Sequence, residues 1–578
     1  MRNSSLVGVA RWLTLGVVAA GGSGFALASC SSDPVAATGI DASTPDVSVA
    51  PEADVDAEPT FCQSQNLTAA AFSAGPYGVH RGDLADDFTL PLADGTSFNF
   101  KQQFSGCDSY VFIPDSLLVS SVDATSVWAS DADLAQLVKQ SPKNAHYFFL
   151  SNRTSASVAD ASVAAMQARV TNLLAKLPEA DAAHWGGRLH VVAHHAQEID
   201  AWMSKPFTAH LFRGFAIDRA QRIRGVGNLA DIKRYDATAQ WPWKANLAYA
   251  TNEVVYMNAE ADRQVKLDAE GATLIDLWKG EVLSEFAETD VQLPTAQQMA
   301  GFDTLEVEVT QMCPNPDKAE EDNNCGAWDY LAYLFVRRPD GSDAGPPDGG
   351  PATKDVEIAR FITSYHRETH WVVDATPMLV HLKDGGMQHF RWYFSTPWNK
   401  QPTGTKLTLR LSNKKKGYAP AQATFLYEGG AFNSKYNDGR APVKVPIPAA
   451  AKRVELWAIL TGHGGSNNNC AEFCNHQHQF QVNAKSYLRE FTMASTNDGC
   501  MKAMMTEGMT PNQAGTWWLG RGGWCPGAPV APWVVDVTKD VTPGQTATIS
   551  YQGLFQKSAP PPDDSGNIVL SSYLVVYQ

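Results

Sequence analysis

"TLEVEVT", residues 304–310, alternates Leu305, Val307 and Val309 with Glu306, Glu308 and Thr310. A period of two sends the aliphatic side chains to one face of an extended segment and the carboxylates to the other, so the stretch predicts a strand with one face in a core. The same habit recurs nearby in "YLAYLFV" (330–336), "EIARFITSY" (357–365) and "KLTLRLS" (406–412). It continues in "RVELWAIL" (453–460), "HQFQVN" (478–483), "PWVVDVT" (532–538), "ATISYQG" (547–553) and "SSYLVVYQ" (571–578). Glycine, proline and asparagine punctuate these runs, and the helical period is absent from about residue 265 onward. Such a series predicts antiparallel sandwiches, and roughly 310 residues suffice for two. "KKKGYAPAQ" (414–422) divides the stretch, giving expected sandwiches at 265–413 and 414–578.

Upstream, strand and helix alternate. "DDFTLPLADGTSFNF" (86–100) reads as a hairpin around Asp94-Gly95. "SYVFIP" (109–114) and "AHYFFL" (145–150) are short apolar runs of buried-strand type, "ASVAAMQARVTNLLAKL" (161–177) has helical spacing, and "RLHVVA" (188–193) returns to strand. "FRGFAIDRAQRIRGVG" (212–227) reads as two antiparallel strands. The order predicts an α/β domain over 59–240, followed by a linker at 241–264. "GDLADDFTLPLADGTSF" (82–98) and "AIDRAQRIRGVG" (216–227) resemble the thioredoxin-like fold of the peroxiredoxin and TlpA type. Redox chemistry in that fold needs an activated thiolate, usually from C-x-x-C. Here "FSGCDSYVFIPDS" (104–116) offers only Cys107, ahead of the strand, so Cys107 is read as a staple to Cys62 in a domain without redox activity.

Arg2, Arg11 and the glycine-rich apolar run "WLTLGVVAAGGSGFA" (12–26) read as an export signal over 1–29 rather than a spanning helix. "LASC" (27–30) resembles the bacterial lipobox, which implies cleavage before Cys30 and lipid on its thiol. Residues 30–58, rich in Pro, Ala, Asp and Ser, have too little apolar surface to fold and read as a tether. "RPDGSDAGPPDGGPATKD" (338–355) has the composition of an exposed loop between strands. Together these predict an exported lipoprotein, with Ser31 after the lipidated cysteine favouring the outer membrane or cell surface. An oxidising compartment makes the cysteine count informative: nine less Cys30 leaves eight, an even set for disulfides. Zinc is disfavoured because C-x₂-C is never repeated and the one C-x₃-C is isolated.

The chain of 578 residues is 44% hydrophobic and 19% charged, which is globular composition. A net charge of −15 leaves no basic face for a phosphate backbone, so nucleic acid is excluded as a partner.

Four segments in the strand-rich half carry chemistry. They are "MCPNPDKAEEDNNCGAWDY" (312–330), "EIARFITSY" (357–365), "NNNCAEFCNHQH" (467–478) and "TWWLGRGGWCPG" (516–527). In this order they resemble the peptide:N-glycosidase F family, amidases built from two eight-stranded jelly rolls that remove N-linked glycans. This resemblance covers about half of the chain and implies two all-β jelly-roll sandwiches, so with the upstream resemblance the expected fold class is an α/β thioredoxin-like domain followed by those two sandwiches. It pairs Cys313 with Cys325, Cys470 with Cys474 and Cys500 with Cys525, leaving Cys62 for Cys107. It implies that Asp329 is the principal catalytic carboxylate and Glu472 a second essential acid, with Arg521, Trp328 and Trp398 binding substrate. Hydrolysing the asparagine–glycan amide needs a base for water and donors for the developing oxyanion, without a cofactor or metal. The implied partners are N-glycosylated proteins or glycopeptides, met by a monomer that touches the membrane only through its anchor. Tryptophan faces suit pyranose rings; Trp524 is a further candidate for such a groove.

The chain departs from the family at three positions. Thr396 in "YFSTPW" (393–398) stands where the family has a third acid, Tyr330 where it has an arginine, and His463 in "TGHGGSNNN" (461–469) where it has a tryptophan. Two rival readings follow. One is a glycan-binding lipoprotein that keeps the groove and has lost hydrolysis. The other is a copper monooxygenase-like protein, because His476 and His478 share one face of a strand as a metal pair would.

Overall fold

Strand Thr304–Met312 lies inside a four-stranded antiparallel sheet, between Thr369–Asp374 and Thr403–Ser412, with Thr273–Leu283 beyond the latter. Leu305, Val307 and Val309 turn inward, as the alternation predicts. They meet a second sheet ordered Asp355–Ile362, Leu331–Arg337, Gly385–Tyr393, Phe286–Thr295. Eight strands in two facing sheets make the first sandwich. The second repeats the plan: Pro420–Ala431, Asn567–Tyr577, Arg453–His463 and Trp533–Asp536 face Val443–Pro446, Thr546–Phe555, His476–Val482 and Lys485–Glu490.

This computed structural model describes residues 60–578 apart from 116–126, 200, 210–213, 227–228, 230–244, 321–322, 338–354, 465–470, 512–517 and 563–565. The expected signal at 1–29, Cys30, the tether, Cys470 and all of the 338–355 loop but Asp355 lie outside the described residues.

The two sandwiches share a seam. Along Arg453–His463, Val454, Leu456, Ala458 and Leu460 enter the second sandwich's own core, while Trp457 and Ile459 join the core of the first. Arg360 is buried in this seam, forked onto Glu357 at 2.7 and 2.8 Å and donating to the Val569 carbonyl at 2.8 Å and to Thr461 Oγ1 at 3.1 Å. A guanidinium can be sealed away when its donors are met in this way.

The N-terminal region contains a five-stranded mixed sheet, in the order Leu189–Val191, Ala145–Leu150, Ser109–Pro114, Phe215–Ile217, Ile223–Gly225. The first three strands are parallel and the last pairs antiparallel. Both faces are covered: Val111, Ile113, Tyr147 and Phe149 pack on one side, Tyr110, Phe112, Phe148 and Leu150 on the other. Burial on both faces explains why "SYVFIP" and "AHYFFL" are continuous apolar runs. Cys62 is bonded to Cys107.

The segment expected as a linker is instead helical, Ala245–Ala269. Val254, Tyr256 and Met257 join the core beneath the mixed sheet, together with Ala503 and Met504 of a second helix the strand-only reading lacked, Gly499–Glu507. Other contacts of Ala245–Ala269 are polar or charged. Glu260 pairs with Arg224, Arg263 donates to the His370 carbonyl at 2.9 Å, and Arg410 donates to the Leu267 carbonyl at 2.6 Å. The outer, polar face of the first sandwich thus has a polar helix lying on it. Residues 59–578 form one compact unit.

Candidate active site

The chain enters Leu331–Arg337 from the loop closed by Cys313–Cys325. Residues 326–330 lie against 363–366: the Thr363 hydroxyl donates to the Trp328 carbonyl at 2.6 Å and accepts from the Tyr330 amide at 2.8 Å, and the His366 amide donates to the Gly326 carbonyl at 2.7 Å. On the opposite side Gln401 accepts from the Trp328 amide at 2.8 Å. Gly326 is needed there, because a Cβ at that position would come within 2.6 Å of the Gln401 side chain. Asp329 is thereby held at the mouth of the strand, and Tyr365 contributes a side-chain hydrogen bond to its carboxylate.

Glu472 and Arg521 come from two loops of the second sandwich. The Glu472 amide donates to Gly464 at 3.0 Å, and its carbonyl accepts from Gly522 at 2.7 Å. The Gly522 carbonyl in turn accepts from Gly462 at 2.7 Å, tying both loops to the end of Arg453–His463. Gly522 permits this approach, since a Cβ would meet His476 Nε2 at 2.3 Å. Cys474 is disulfide-bonded, and Cys500 is joined to Cys525 across the loop that carries Arg521.

The two acids meet on one guanidinium. Arg521 Nη2 is 3.7 Å from Asp329 Oδ2, and its Nε is 3.3 Å from Glu472 Oε1. Arg521 is 1% exposed, while the acids' side chains are 16% and 22% exposed. The arginine is the floor of the site and the carboxylates its open surface. Arg521, expected to bind substrate, contacts both acids from beneath. Its guanidinium lies between the rings of Phe473 and Trp524, at 5.1 and 4.8 Å. Trp524 is buried and donates to the Gly462 carbonyl at 2.7 Å, so it supports Arg521 and is not part of a groove. His463 stacks on that indole at 5.0 Å. Trp328 and Trp398 are 53% and 75% exposed. Asn399, next to Trp398, donates to the Tyr330 hydroxyl at 3.0 Å, so the 396–401 loop runs beside the Asp329 segment. In that loop the Thr396 hydroxyl is buried and, among the described residues, makes no hydrogen bond.

Burial raises the pKa of Asp329, against the opposing pull of Arg521 and Tyr365. Burial also raises Glu472, opposed by Arg521 and reinforced by the Asp329 charge. Tyr365 is pushed up by burial and by Asp329, so it stays a neutral donor. One cation shared between two partly buried carboxylates leaves both above their ordinary range.

His476 and His478 point the same way from their strand, but into the core. They bond each other at 2.5 Å, His478 bonds Tyr551 at 2.8 Å, and Tyr551 bonds Tyr436 at 2.7 Å. Burial lowers both imidazoles, His476 to about 3. These bonds tie His476 Nδ1 and both His478 nitrogens into the core. Among the described residues the single grouping of three or more candidate metal ligands is Cys313, Glu320 and Cys325, and its two cysteines are bonded to each other.

Residues 431–575 match the family model for peptide-N-glycosidase F, C terminal. Over those residues the second sandwich is similar to the C-terminal part of peptide-N-glycosidase F. The paired acids sit where this sandwich meets the first. Among solved structures the chain is similar to PNGase F from Flavobacterium meningosepticum, at 18% identity over 53% of this chain and 96% of that one, with a TM-score of 0.40. It is also similar to PNGF-II, at 15% identity over 55% of this chain and 68% of that one, with a TM-score of 0.40. No curated protein sequence matches the chain.

Tyr365, Phe473 and Gln401 were not singled out from sequence. Tyr365 closes the quoted run "EIARFITSY", but nothing local marks a tyrosine as the partner of a carboxylate 36 positions away (365 − 329).

Proposed function

We propose that the chain hydrolyses the β-amide joining asparagine to N-acetylglucosamine in N-linked glycoproteins or glycopeptides. The observation that carries this reading is the meeting of Asp329 and Glu472 on buried Arg521. Asp329 takes a proton from water, whose oxygen attacks the amide carbon. The carbon–nitrogen bond then breaks, the proton is returned to the departing nitrogen, and the products are aspartate and a glycosylamine. A raised carboxyl pKa suits this shuttle, because a base is most effective when its pKa lies near the working pH. Glu472 orients water or substrate from the other side of the guanidinium, and the exposed indoles take sugar faces. We further propose a lipid anchor at Cys30 and a thioredoxin-like N-terminal domain that is redox-inert because Cys107 is committed to Cys62.

Thr396 in place of the family's third acid favours a second reading, a glycan-binding lipoprotein without hydrolysis. The two are separated by incubating the protein, freed of its anchor, with a denatured N-glycoprotein. Loss of glycan with conversion of asparagine to aspartate supports the amidase; retention of glycan with measurable binding supports the lectin-like protein.

A further inference from the structure

Arg367 lies two residues past Tyr365 and is buried. Its guanidinium gathers groups from four parts of the chain. Nη1 pairs with Glu253 of helix Ala245–Ala269 and donates to the Pro511 carbonyl at 3.0 Å. Nη2 donates to the Gly225 carbonyl of the mixed sheet at 3.0 Å, and Nε lies 2.9 Å from Glu320 inside the Cys313–Cys325 loop. Glu320 also accepts from the Glu368 amide at 3.1 Å. Nearby, Arg81 of the N-terminal region donates to the Lys318 and Asn315 carbonyls of the same loop at 2.7 and 3.1 Å, and pairs with Glu368 at 3.0 Å. Beneath the mixed sheet, the same helix shares a core with Cys500 and Cys525, which close the loop carrying Arg521.

We propose that Arg367 is a positioning residue through which the N-terminal α/β region sets the placement of Asp329 and Tyr365. The path is short. Arg367 ends the segment 363–367 that hydrogen-bonds residues 326–330, and its partner Glu320 belongs to the loop leading into Asp329. The segment that bonds residues 326–330 and the loop leading into Asp329 are therefore both pinned to one guanidinium, whose third anchor, Glu253, belongs to neither sandwich. A sandwich pair alone has no group to supply that anchor, so the N-terminal region is part of the catalytic unit and not an independent appendage. The inference rests on Asp329 being the catalytic base.

The test uses the full chain. Glu253→Gln removes one charge from the hub, and Arg81→Gln loosens the loop without touching Arg367. For Glu253→Gln, kcat on a glycopeptide is expected to fall about tenfold with KM near wild type, since small misplacement of a base acts on the chemical step. For Arg81→Gln the expected loss is about threefold. The carboxyl-carbon NMR titration of Asp329 is expected to shift its midpoint in both variants, a readout that global destabilisation does not produce. A lowered melting temperature with wild-type kcat and an unmoved midpoint in the folded Arg81→Gln protein overturns the proposal. Should wild type leave glycopeptides uncut, the amidase reading fails by itself, and the Asp329 midpoint still decides the positioning claim.

Discussion

Arg360 and Arg521 are equally hidden, each 1% exposed, yet they serve different ends. Arg360 has one carboxylate, Glu357, itself 6% exposed, and grips it through two short hydrogen bonds. Arg521 has two carboxylates at longer range, each partly open to solvent. Burial of the cation is common to both; the ratio of charges and the exposure of the anions differ. A one-to-one forked pair sealed from water is a structural joint, and a two-to-one cluster with open anions is poised to exchange a proton. Arg367 falls between them, two-to-one in charge but sealed, which suits a residue that holds others in place.

The comparison can be broken most sharply at Asp329. Asp329→Asn is expected to lower turnover by about a thousandfold or more, as for removal of a principal catalytic group, while the far-UV spectrum is kept. Glycopeptide cleavage at substrate saturation measures it, and turnover near wild type moves the catalytic centre elsewhere. Arg360→Leu is expected to do the reverse. Orphaning Glu357 costs about 3–5 kcal/mol of stability by denaturant melt, with the kcat of the folded protein retained.

A pH comparison sharpens the contrast. Burial raises Asp329 and Glu472, so the acid limb of the rate profile should fall above the ordinary carboxylate range of about 4. The linkage has a definite sign. A carboxyl raised in the folded state favours folding below its unfolded pKa, and that contribution is lost as pH rises through the folded value. Asp329→Asn should therefore melt no lower than wild type at neutral pH, with the two curves converging in acid. The smallest effect is expected at the rim. Trp398→Ala should leave melting unchanged and raise KM severalfold, on the order of 1 kcal/mol of lost stacking.

What could be read without coordinates follows from how far each signal reaches along the chain. The strands announced themselves because alternation over a few residues reports a nearby core, and "TLEVEVT" behaves as its pattern says. Helix Ala245–Ala269 did not, because beside the apolar Val254, Tyr256 and Met257 it interleaves Glu253, Glu260 and Arg263, whose polar partners come from distant segments. Its pattern looks like that of a solvated segment. The fate of His476 and His478 was equally hidden, since one strand face can turn toward a metal or a core.

Sequence alone determined the strand-rich half and the break between its sandwiches near 414–422, and it singled out Asp329 and Glu472 as candidates. Tertiary structure alone decided that a guanidinium 192 positions beyond Asp329 (521 − 329) lies under it, that Trp524 supports rather than lines the site, and that the α/β region reaches the Asp329 loop. The reason is physical. Secondary structure answers to side chains a few residues apart, whereas the charge, burial and proton affinity of a carboxylate answer to whatever the folded chain brings within a few ångströms, from any distance in sequence.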